Sequence, residues 1–264
     1  MKATIIGGGN MGGAIARGLS QGNICQASDI TVIDLNQAVL DELTAFNKDI
    51  RVATTDNEAI ETADIVIIAL KPWLMESAVK GISHLLDYNR QIIVSIAAGI
   101  TFMQLKQYLK KEEASNPALF RVIPNTAISI GESMTFIASN HATTIQEKQI
   151  TDIFESMGRT QLVDEKYMSA GTALASCGIA YAFRYIRAAM EAGVEIGFYP
   201  DQAKDIVIQT LKGAISLLEA TGNHPEQEID KVTTPGGITI KGLNTLEKNG
   251  FTNAIIEGIK AGNV

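Results

Sequence analysis

Three glycines near the start of the chain constrain its fold more than any other feature. Gly7, Gly9 and Gly12 form the pattern G-x-G-x-x-G within IIGGGNMGGA, directly after the apolar segment KATII at residues 2–6. A helical pattern follows from about residue 10 to residue 22. Between a strand and a helix, such glycines permit a tight turn, a close backbone approach to a pyrophosphate and close helix–strand packing. The segment therefore predicts the phosphate-binding turn of a dinucleotide-binding unit, the alternative being a simple glycine-rich turn.

The first half of the chain alternates strand patterns with helix patterns. The segment DIVIIAL at residues 64–70 is almost unbroken apolar sequence, which is typical of a strand covered on both faces of a sheet. Alternation of this kind predicts an α/β fold with a doubly wound, Rossmann-like parallel sheet. The predicted strands are 2–6, 30–34, 50–53, 64–70, 91–98 and 119–123, and the predicted helices include 10–22, 37–46 and 57–63.

After about residue 164 the sequence becomes helical throughout. Long helices are predicted at 178–197 and 201–220, with Pro200 where the second begins. Both are apolar around much of their circumference, so each needs neighbours on most sides. A helical domain of ~100 residues cannot easily supply them all, so we expect a second subunit to do so, the alternative being core helices within one chain. The predicted domains are 1–163, which binds a dinucleotide, and 164–264, a helical domain for dimerisation and substrate binding.

Charge and composition narrow the classes of function. A net charge of −7 at pH 7 argues against a nucleic-acid partner. Cys25 and Cys177 form no CxxC pair, and no metal-ligand spacing joins them to His84, His141 or His224, so we expect no metal site and a reducing compartment. No apolar run reaches the ~20 residues that span a bilayer, and the first residues lack a cleavage-site pattern. We therefore expect a cytoplasmic protein with a small-molecule substrate and no membrane partner.

Further candidate residues lie where the predicted parallel strands end, because loops at the carboxyl ends of such strands line the ligand crevice. Asp34 ends the second strand, where a carboxylate would accept hydrogen bonds from the adenosine ribose and repel a 2′-phosphate. This favours NADH over NADPH, although a helix cap or strand-end turn is the alternative, and the cofactor preference stays open. Lys-Pro at residues 71–72 follows the fourth strand, and small residues at 97–99 leave room for a flat ring after the fifth.

Several segments together resemble pyrroline-5-carboxylate reductase. The resemblance covers nearly the whole chain in order, and its last segment is the most specific, because a generic dinucleotide-binding protein has no reason to carry it. It implies a Rossmann-like domain followed by an all-helical dimerisation domain, in a homodimer or a higher oligomer. The segments are IIGGGNMGGAIARGL, DNEAIETADIVIIALKPW, VSIAAGIT, RVIPNTAISIGE, ASCGIAYAF and HPEQEIDKVTTPGGITIKGLNTLEKNGF.

The resemblance also implies a reaction, in which NADH or NADPH reduces the C=N bond of 1-pyrroline-5-carboxylate to give L-proline. Asp34 is a further candidate cofactor contact, because of its place at the end of the second predicted strand. Thr239 is the candidate catalytic residue. The substrate contacts that the family implies are Glu165, Gly237, Ile238 and Thr239. The cofactor contacts that it implies are Gly7, Gly8, Gly9, Asn10, Met11, Gly12, Asn57, Ala69, Leu70, Lys71, Pro72, Ile96, Ala97 and Ala98.

The chemistry of the residues supports this reaction independently. Hydride transfer to an imine needs neither a nucleophile nor a metal, because the cofactor carries the difficult step. The glycine-rich turn TPGG at residues 234–237 precedes a predicted helix whose N–H groups make a natural carboxylate cradle. The Thr239 hydroxyl can donate a hydrogen bond to the ring nitrogen or to the carboxylate, the alternative being a helix cap.

Some positions near the expected pocket depart from the family pattern, and two alternative functions stay open. One is reduction of another cyclic imine or a small keto acid, for which Lys166 and Lys204 are the available lysines. The other is a catalytically silent NAD(P)H-binding sensor. The departures are Ile123, Ala127, Cys177, Ile179 and Ile238.

Overall fold

The computed structural model describes residues 1–22, 24–111 and 116–263. The chain forms two compact units, of which the first comprises Met1–Cys177 with the last residues from Gly262, and the second Gly178–Ala261. The helical pattern predicts a boundary after residue 163, whereas the compact units divide after Cys177. Met168 is buried in the core of the first unit, which is why the segment before Cys177 lies there.

A single sheet forms the first unit. In the described residues its strands are β1 (Ala3–Ile6), β2 (Ile30–Ile33), β3 (Arg51–Ala53), β4 (Ile65–Ile68), β5 (Ile92–Ser95), β6 (Ala118–Ile123), β7 (Ser133–Asn140) and β8 (Gly158–Leu162). They lie in the order β3-β2-β1-β4-β5-β6-β7-β8, and every neighbouring pair is parallel except β6 and β7, which are antiparallel. The predicted doubly wound α/β class is confirmed.

Helices cover this sheet and form the whole of the second unit. Thr101 begins α5 with a capping box to Gln104, which satisfies amides that the first turn leaves without partners. Pro200 begins α9, as the sequence predicts. The described helices are α1 (Asn10–Gln21), α2 (Gln37–Phe46), α3 (Asn57–Thr62), α4 (Pro72–Ile82), α5 (Phe102–Tyr108), α6 (Thr144–Glu155), α7 (Met168–Gly171), α8 (Gly178–Glu195), α9 (Pro200–Thr221), α10 (Pro225–Val232), α11 (Ile238–Lys248) and α12 (Phe251–Ala261).

Two apolar clusters lie on opposite faces of the sheet. Successive residues of a strand point to opposite faces, and so Leu119 of β6 belongs to one cluster and Phe120 to the other. All four residues of β4 are buried, which explains the unbroken apolar pattern of this segment. Both faces of the sheet are thus packed in the core, and the loops at the carboxyl ends of its parallel strands are where a ligand is expected to bind.

Strands β7 and β8 are absent from the sequence-based prediction. In β7 the buried positions include Ser133 and Thr135, whose hydroxyl oxygens lie 2.9 Å apart in a hydrogen bond. Polar residues at buried positions conceal the alternation that identifies a half-buried strand. Strand β8 is mostly exposed at the sheet edge and carries no apolar pattern.

The second unit consists of α8 to α12. Helices α8 and α9 approach closely at Gly193, where a Cβ atom would lie 2.9 Å from Cβ of Ala203. Large apolar side chains nevertheless stay exposed, among them Phe183, Ile215 and Leu217. Exposed apolar surface of this kind marks a contact surface. In the described part of the chain, no helix combines the length and the apolar content needed to cross a bilayer.

Tyr88 offers a test of the packing around α5. Its hydroxyl donates a hydrogen bond to the carbonyl of Leu109, and burial raises the pKa of Tyr88 to about 12. We expect Tyr88→Phe to lower the free energy of unfolding by about 1 kcal/mol, measured by urea denaturation at pH 8, because the carbonyl loses its donor. Burial raises the pKa of Tyr88 in the folded state, so the protonated hydroxyl contributes stability below the ordinary tyrosine pKa. This contribution is lost as the pH rises towards 12. Equal unfolding midpoints for the two proteins would contradict this.

Candidate functional site

Glycines shape the turn between β1 and α1. Gly7 has a φ of +98°, and a Cβ atom there would lie 2.6 Å from the carbonyl oxygen of Ala69. A Cβ atom at Gly12 would lie 1.9 Å from the carbonyl oxygen of Gly7, so only glycine lets α1 begin this close to β1. At Gly9, in contrast, a Cβ atom would meet open space. A bound group can therefore approach the backbone at Gly9.

The N-terminus of α1 is open to an anion. Gly9 precedes the helix, no side chain caps it, and the first turn carries no acidic residue. The first amides of a helix lack internal partners, and the helix dipole places partial positive charge there. Asn10 and Met11, which form this first turn, are exposed or half-buried. The arrangement fits the pyrophosphate of a dinucleotide, as the glycine pattern predicts.

Asp34 lies immediately after β2 and contacts the glycine turn. Its Oδ2 accepts a hydrogen bond of 2.6 Å from the amide of Gly8, and its Oδ1 accepts one of 2.8 Å from the amide of Asn36. The cap of α2 is Asn36 rather than Asp34, because the Asn36 side chain accepts from the amide of Ala38. Each carboxylate oxygen has a further lone pair. Asp34 therefore places negative charge beside the turn while also holding it in position.

Backbone hydrogen bonds bring the loops after β4 and β5 to the same edge of the sheet as the glycine turn. The amide of Ala69 donates to the carbonyl of Ile6 at 2.8 Å, and the amide of Ile96 donates to the carbonyl of Ile68 at 3.1 Å. Pro72 begins α4, and Lys71 before it is exposed. The remaining candidates at this edge are Gly8, Asn57 at the start of α3, Leu70, Ala97 and Ala98.

A cavity of about 530 Å³ opens beside the loop after β5. Arg121, a buried residue of β6, pairs there with Glu165, with 2.8 Å between Nη1 and Oε1. The same Oε1 accepts a hydrogen bond of 2.6 Å from the amide of Phe102. Arg121 is missing from the sequence-based candidates, although a charged residue inside an apolar strand pattern was a usable signal. The residues that line this cavity include Ala98, Gly99, Thr101, Arg121, Glu165 and Thr172.

In the second unit, residues 234–237 form a glycine turn before α11. Gly236 has a φ of +73°, and the amide of Gly237 donates to the carbonyl of Thr234 at 2.9 Å. Gly237 precedes the helix and no side chain caps it, so Thr239 is not the cap of α11. Thr239 is exposed in the first turn, next to Ile238, which is 85% exposed. This turn therefore offers free backbone donors and one hydroxyl to an anion.

The positions that depart from the family pattern have different environments. Ile123 belongs to the apolar core, whereas Ile238 is exposed at the glycine turn before α11. Ala127, Cys177 and Ile179 are half-buried, and Cys177 is a free cysteine. Only Ile238 therefore lies directly at a candidate binding turn.

The lysines considered for keto-acid chemistry are exposed, and Lys166 is one of the residues that line the cavity beside the loop after β5. Lys166 Nζ lies 3.6 Å from Asp164 and 5.0 Å from the ring centre of Tyr167, and Lys204 Nζ lies 3.4 Å from Asp201. Neither lies in the desolvated surroundings that tune a lysine for acid–base work. Among the described residues, His, Cys, Asp and Glu side chains form no group of three or more that could hold a metal ion.

A glycine turn opening on an uncapped helix, at the carboxyl edge of a parallel sheet, is typical of a dinucleotide-binding protein. The family model described as NADP oxidoreductase coenzyme F420-dependent matches residues 2–99, and that described as pyrroline-5-carboxylate reductase dimerisation matches 165–263. Pyrroline-5-carboxylate reductase 2 of Dictyostelium discoideum is 37% identical over 97% of this chain and 88% of its own length. The chain therefore belongs to the pyrroline-5-carboxylate reductase family, as the sequence motifs indicate.

Solved structures of family members match the whole chain. Pyrroline carboxylate reductase of Plasmodium falciparum, solved with NADP bound, has a TM-score of 0.89 and 28% identity, covering 99% of this chain and 95% of its own. The 1-pyrroline-5-carboxylate reductase of Streptococcus pyogenes has a TM-score of 0.85 and 30% identity, covering 100% of this chain and 98% of its own. The succession of a Rossmann-like sheet domain and a helical dimerisation domain is thus confirmed.

Two alanine substitutions separate the structural glycine of the turn from the proposed ligand-facing one. We expect Gly12→Ala to lower the free energy of unfolding by about 1–3 kcal/mol, because its Cβ atom would overlap the Gly7 carbonyl. We expect Gly9→Ala to keep the thermal midpoint and to raise the Kd for NADH about tenfold, because its Cβ atom would fill space at the turn. Energy transfer from Trp73, the single tryptophan and an exposed residue after Lys71-Pro72, reports NADH binding. Unchanged NADH affinity in Gly9→Ala would refute the role given to this turn.

Proposed function

We propose that this protein reduces the C=N bond of 1-pyrroline-5-carboxylate to L-proline with NADH or NADPH as the hydride donor. The observation that carries the proposal is the uncapped glycine turn before α11, because a generic dinucleotide-binding protein does not need a second anion-binding turn. Membership of the pyrroline-5-carboxylate reductase family supports the same substrate.

The first unit would hold the cofactor at the carboxyl edge of its sheet. Within the proposed contacts from Gly7 to Gly12, the amides at the start of α1 suit the pyrophosphate, because those of Gly7 and Gly8 already donate to Ile33 and Asp34. Asp34 suits the adenosine ribose. Asn57, residues 69–72 and residues 96–98 complete the proposed contacts around the remaining parts of the cofactor. The cofactor supplies the hydride when bound, so the protein needs only to hold the reacting groups in position.

The second unit would hold the substrate carboxylate. The amides at the start of α11, including those of Ile238 and Thr239, suit a carboxylate, and they do not depend on side-chain identity. Ile238 therefore changes the shape of the turn's surroundings without removing its donors. The Thr239 hydroxyl would donate a hydrogen bond to the carboxylate or to an unprotonated ring nitrogen. A cyclic imine can arrive already protonated, in which case its N–H would donate to the Thr239 oxygen and the site needs no strong general acid. Glu165, a residue of the first unit, is a further proposed substrate contact.

Asp34 makes NADH the proposed preferred cofactor. Its carboxylate would accept hydrogen bonds from the ribose hydroxyls of NADH, whereas the 2′-phosphate of NADPH would bring two like charges together. The two backbone hydrogen bonds to Asp34 fix this charge at the turn. The preference is a difference between the affinities for NADH and NADPH, so the ratio of kcat/KM with NADH to kcat/KM with NADPH tests it.

A homodimer in a reducing, cytoplasmic compartment is also part of the proposal. The dimerisation family model and the exposed apolar side chains of α8 and α9 support association with a second copy of the chain. The unpaired cysteines Cys25 and Cys177 favour the compartment.

Substitution of Thr239 tests the reaction and its proposed catalytic hydroxyl together. The measurement is steady-state NADH and NADPH oxidation with 1-pyrroline-5-carboxylate, with proline identified as the product. We expect Thr239→Ala to lower kcat/KM roughly 10- to 100-fold, because a hydrogen bond to a charged group contributes ~1.5–3 kcal/mol. Thr239→Ser keeps the hydroxyl and should restore most of the activity. Wild-type protein that binds NADH but turns over neither this imine, other cyclic imines nor keto acids would indicate a silent sensor instead.

Substitution of Asp34 tests the cofactor preference. We expect wild-type kcat/KM to be at least about tenfold higher with NADH than with NADPH. Asp34→Asn removes the charge while its amide oxygen can still accept from one of the backbone amides, so the ratio should move towards one. Thermal midpoints of the two proteins serve as the control for folding. A wild-type preference for NADPH, or an unchanged ratio in Asp34→Asn, would remove the role proposed for this carboxylate.

A further inference from the structure

Arg121 is an unusual residue for its place in the sheet. It is the charged residue of β6, whose six residues are all buried, and its side chain is 8% exposed. Its neighbours along the strand, Phe120 and Val122, have no exposed surface. A guanidinium group buried in such surroundings is strongly destabilising unless it is paired and hydrogen-bonded.

The partner of Arg121 is Glu165, which also holds the start of α5. Oε1 of Glu165 lies 2.8 Å from Nη1 of Arg121 and accepts a hydrogen bond of 2.6 Å from the amide of Phe102. Phe102 is the first residue of α5, and its amide is one of those that a helix leaves without an internal partner. One carboxylate oxygen thus links the middle of β6 to the N-terminus of α5.

This link lies beside a loop of the proposed cofactor site. In the sheet register Ser95, the last residue of β5, stands opposite Arg121, and the loop from Ile96 leads directly to Phe102. Ala98, Gly99 and Thr101 of this loop line the same cavity as Arg121 and Glu165. The position of Phe102 therefore sets the position of the end of the loop.

One donor of the pair has no partner in the protein. Nε of Arg121 is buried and has no hydrogen-bond partner among the described residues. A buried donor without a protein partner lowers stability, so the pair stabilises the fold less than a fully hydrogen-bonded pair would. Glu165 is also more exposed than Arg121, at 37%, so its carboxylate would turn towards water if the guanidinium were absent.

We propose that Arg121 is a positioning residue for the reductase site: by fixing Glu165, it holds the N-terminus of α5 and, with it, the loop at residues 96–101. This rests on the proposed function, because residues 96–98 of that loop are proposed cofactor contacts. Arg121 does not touch the cofactor in this role. It acts through Glu165 and the amide of Phe102.

The experiment compares Arg121→Met, Glu165→Leu and the double variant with wild type, because leucine removes the oxygen that accepts from Arg121 and from the Phe102 amide. Three quantities are measured: hydrogen exchange of the Phe102 amide, the NADH Kd by energy transfer from Trp73, and the thermal midpoint. We expect both single variants to speed the exchange and to raise the NADH Kd about tenfold, with KM for NADH changing more than kcat. The double variant should have a higher midpoint than Glu165→Leu, because no buried charge is left unpaired, yet its NADH Kd should stay raised.

Arg90→Met is the matched control. Arg90 donates from Nη1 to the carbonyl of Ala63 at 2.8 Å and from Nη2 to that of Glu61 at 2.6 Å. Both carbonyls precede β4, and so they lie at the end of this strand opposite to the proposed cofactor site. We expect it to lower the midpoint and leave the NADH Kd unchanged. Arg121→Lys, which keeps the charge, should recover part of the NADH affinity lost in Arg121→Met.

Other outcomes would overturn the proposal. It fails if the double variant returns NADH affinity and Phe102 exchange to wild-type values, or if Arg121→Met lowers only the midpoint, as Arg90→Met does. If wild type lacks turnover, the proposed function fails, while exchange and NADH binding, which need no substrate, still decide the role of Arg121. If wild type also lacks NADH binding, exchange of the Phe102 amide alone decides whether Arg121 holds the loop.

Discussion

The approach of the Gly12 backbone to the carbonyl of Gly7 is the contact on which the first unit depends. Any side chain at Gly12 would place its Cβ atom 1.9 Å from that oxygen, and α1 could not then start so close to β1. Because α1 starts there, its uncapped amides face the edge where β4 and β5 also end. Asp34 stabilises the same turn through the amide of Gly8. A packing requirement of the backbone thus creates an uncapped helix N-terminus of the kind that suits an anion.

The second unit repeats the same physical device, and we propose that it serves a different anion. Gly237 precedes α11 without a side-chain cap, just as Gly9 precedes α1. Both turns leave backbone amides unpaired, and this is destabilising unless water or a ligand accepts their hydrogen bonds. A chain that keeps two such helix starts has two places for negatively charged groups. A reductase of an imino acid needs both, one for the cofactor pyrophosphate and one for the substrate carboxylate.

Charged groups inside the first unit show where sequence patterns stop being informative. Arg121 lies within an apolar strand pattern, and Glu165 lies at the start of the helical half, so no local spacing connects them. Strand β7 shows no clear strand pattern for a related reason. The hydroxyls of Ser133 and Thr135 form a hydrogen bond with each other in the interior, and polar residues at buried positions conceal the alternation. Both cases depend on partners distant in sequence or on pairs of polar groups, which local hydrophobic periodicity does not report.

The sequence by itself determined the class of fold, the glycine turn between β1 and α1, and the family, because glycine spacing and apolar periodicity are local properties of the chain. It also identified the glycine turn before α11 and the carboxylate after β2. Only the tertiary structure decided that Asp34 binds the amide of Gly8, that Gly237 rather than Thr239 precedes α11, and that Arg121 pairs with Glu165. These depend on which groups meet in space, and burial then decides which of them must be paired.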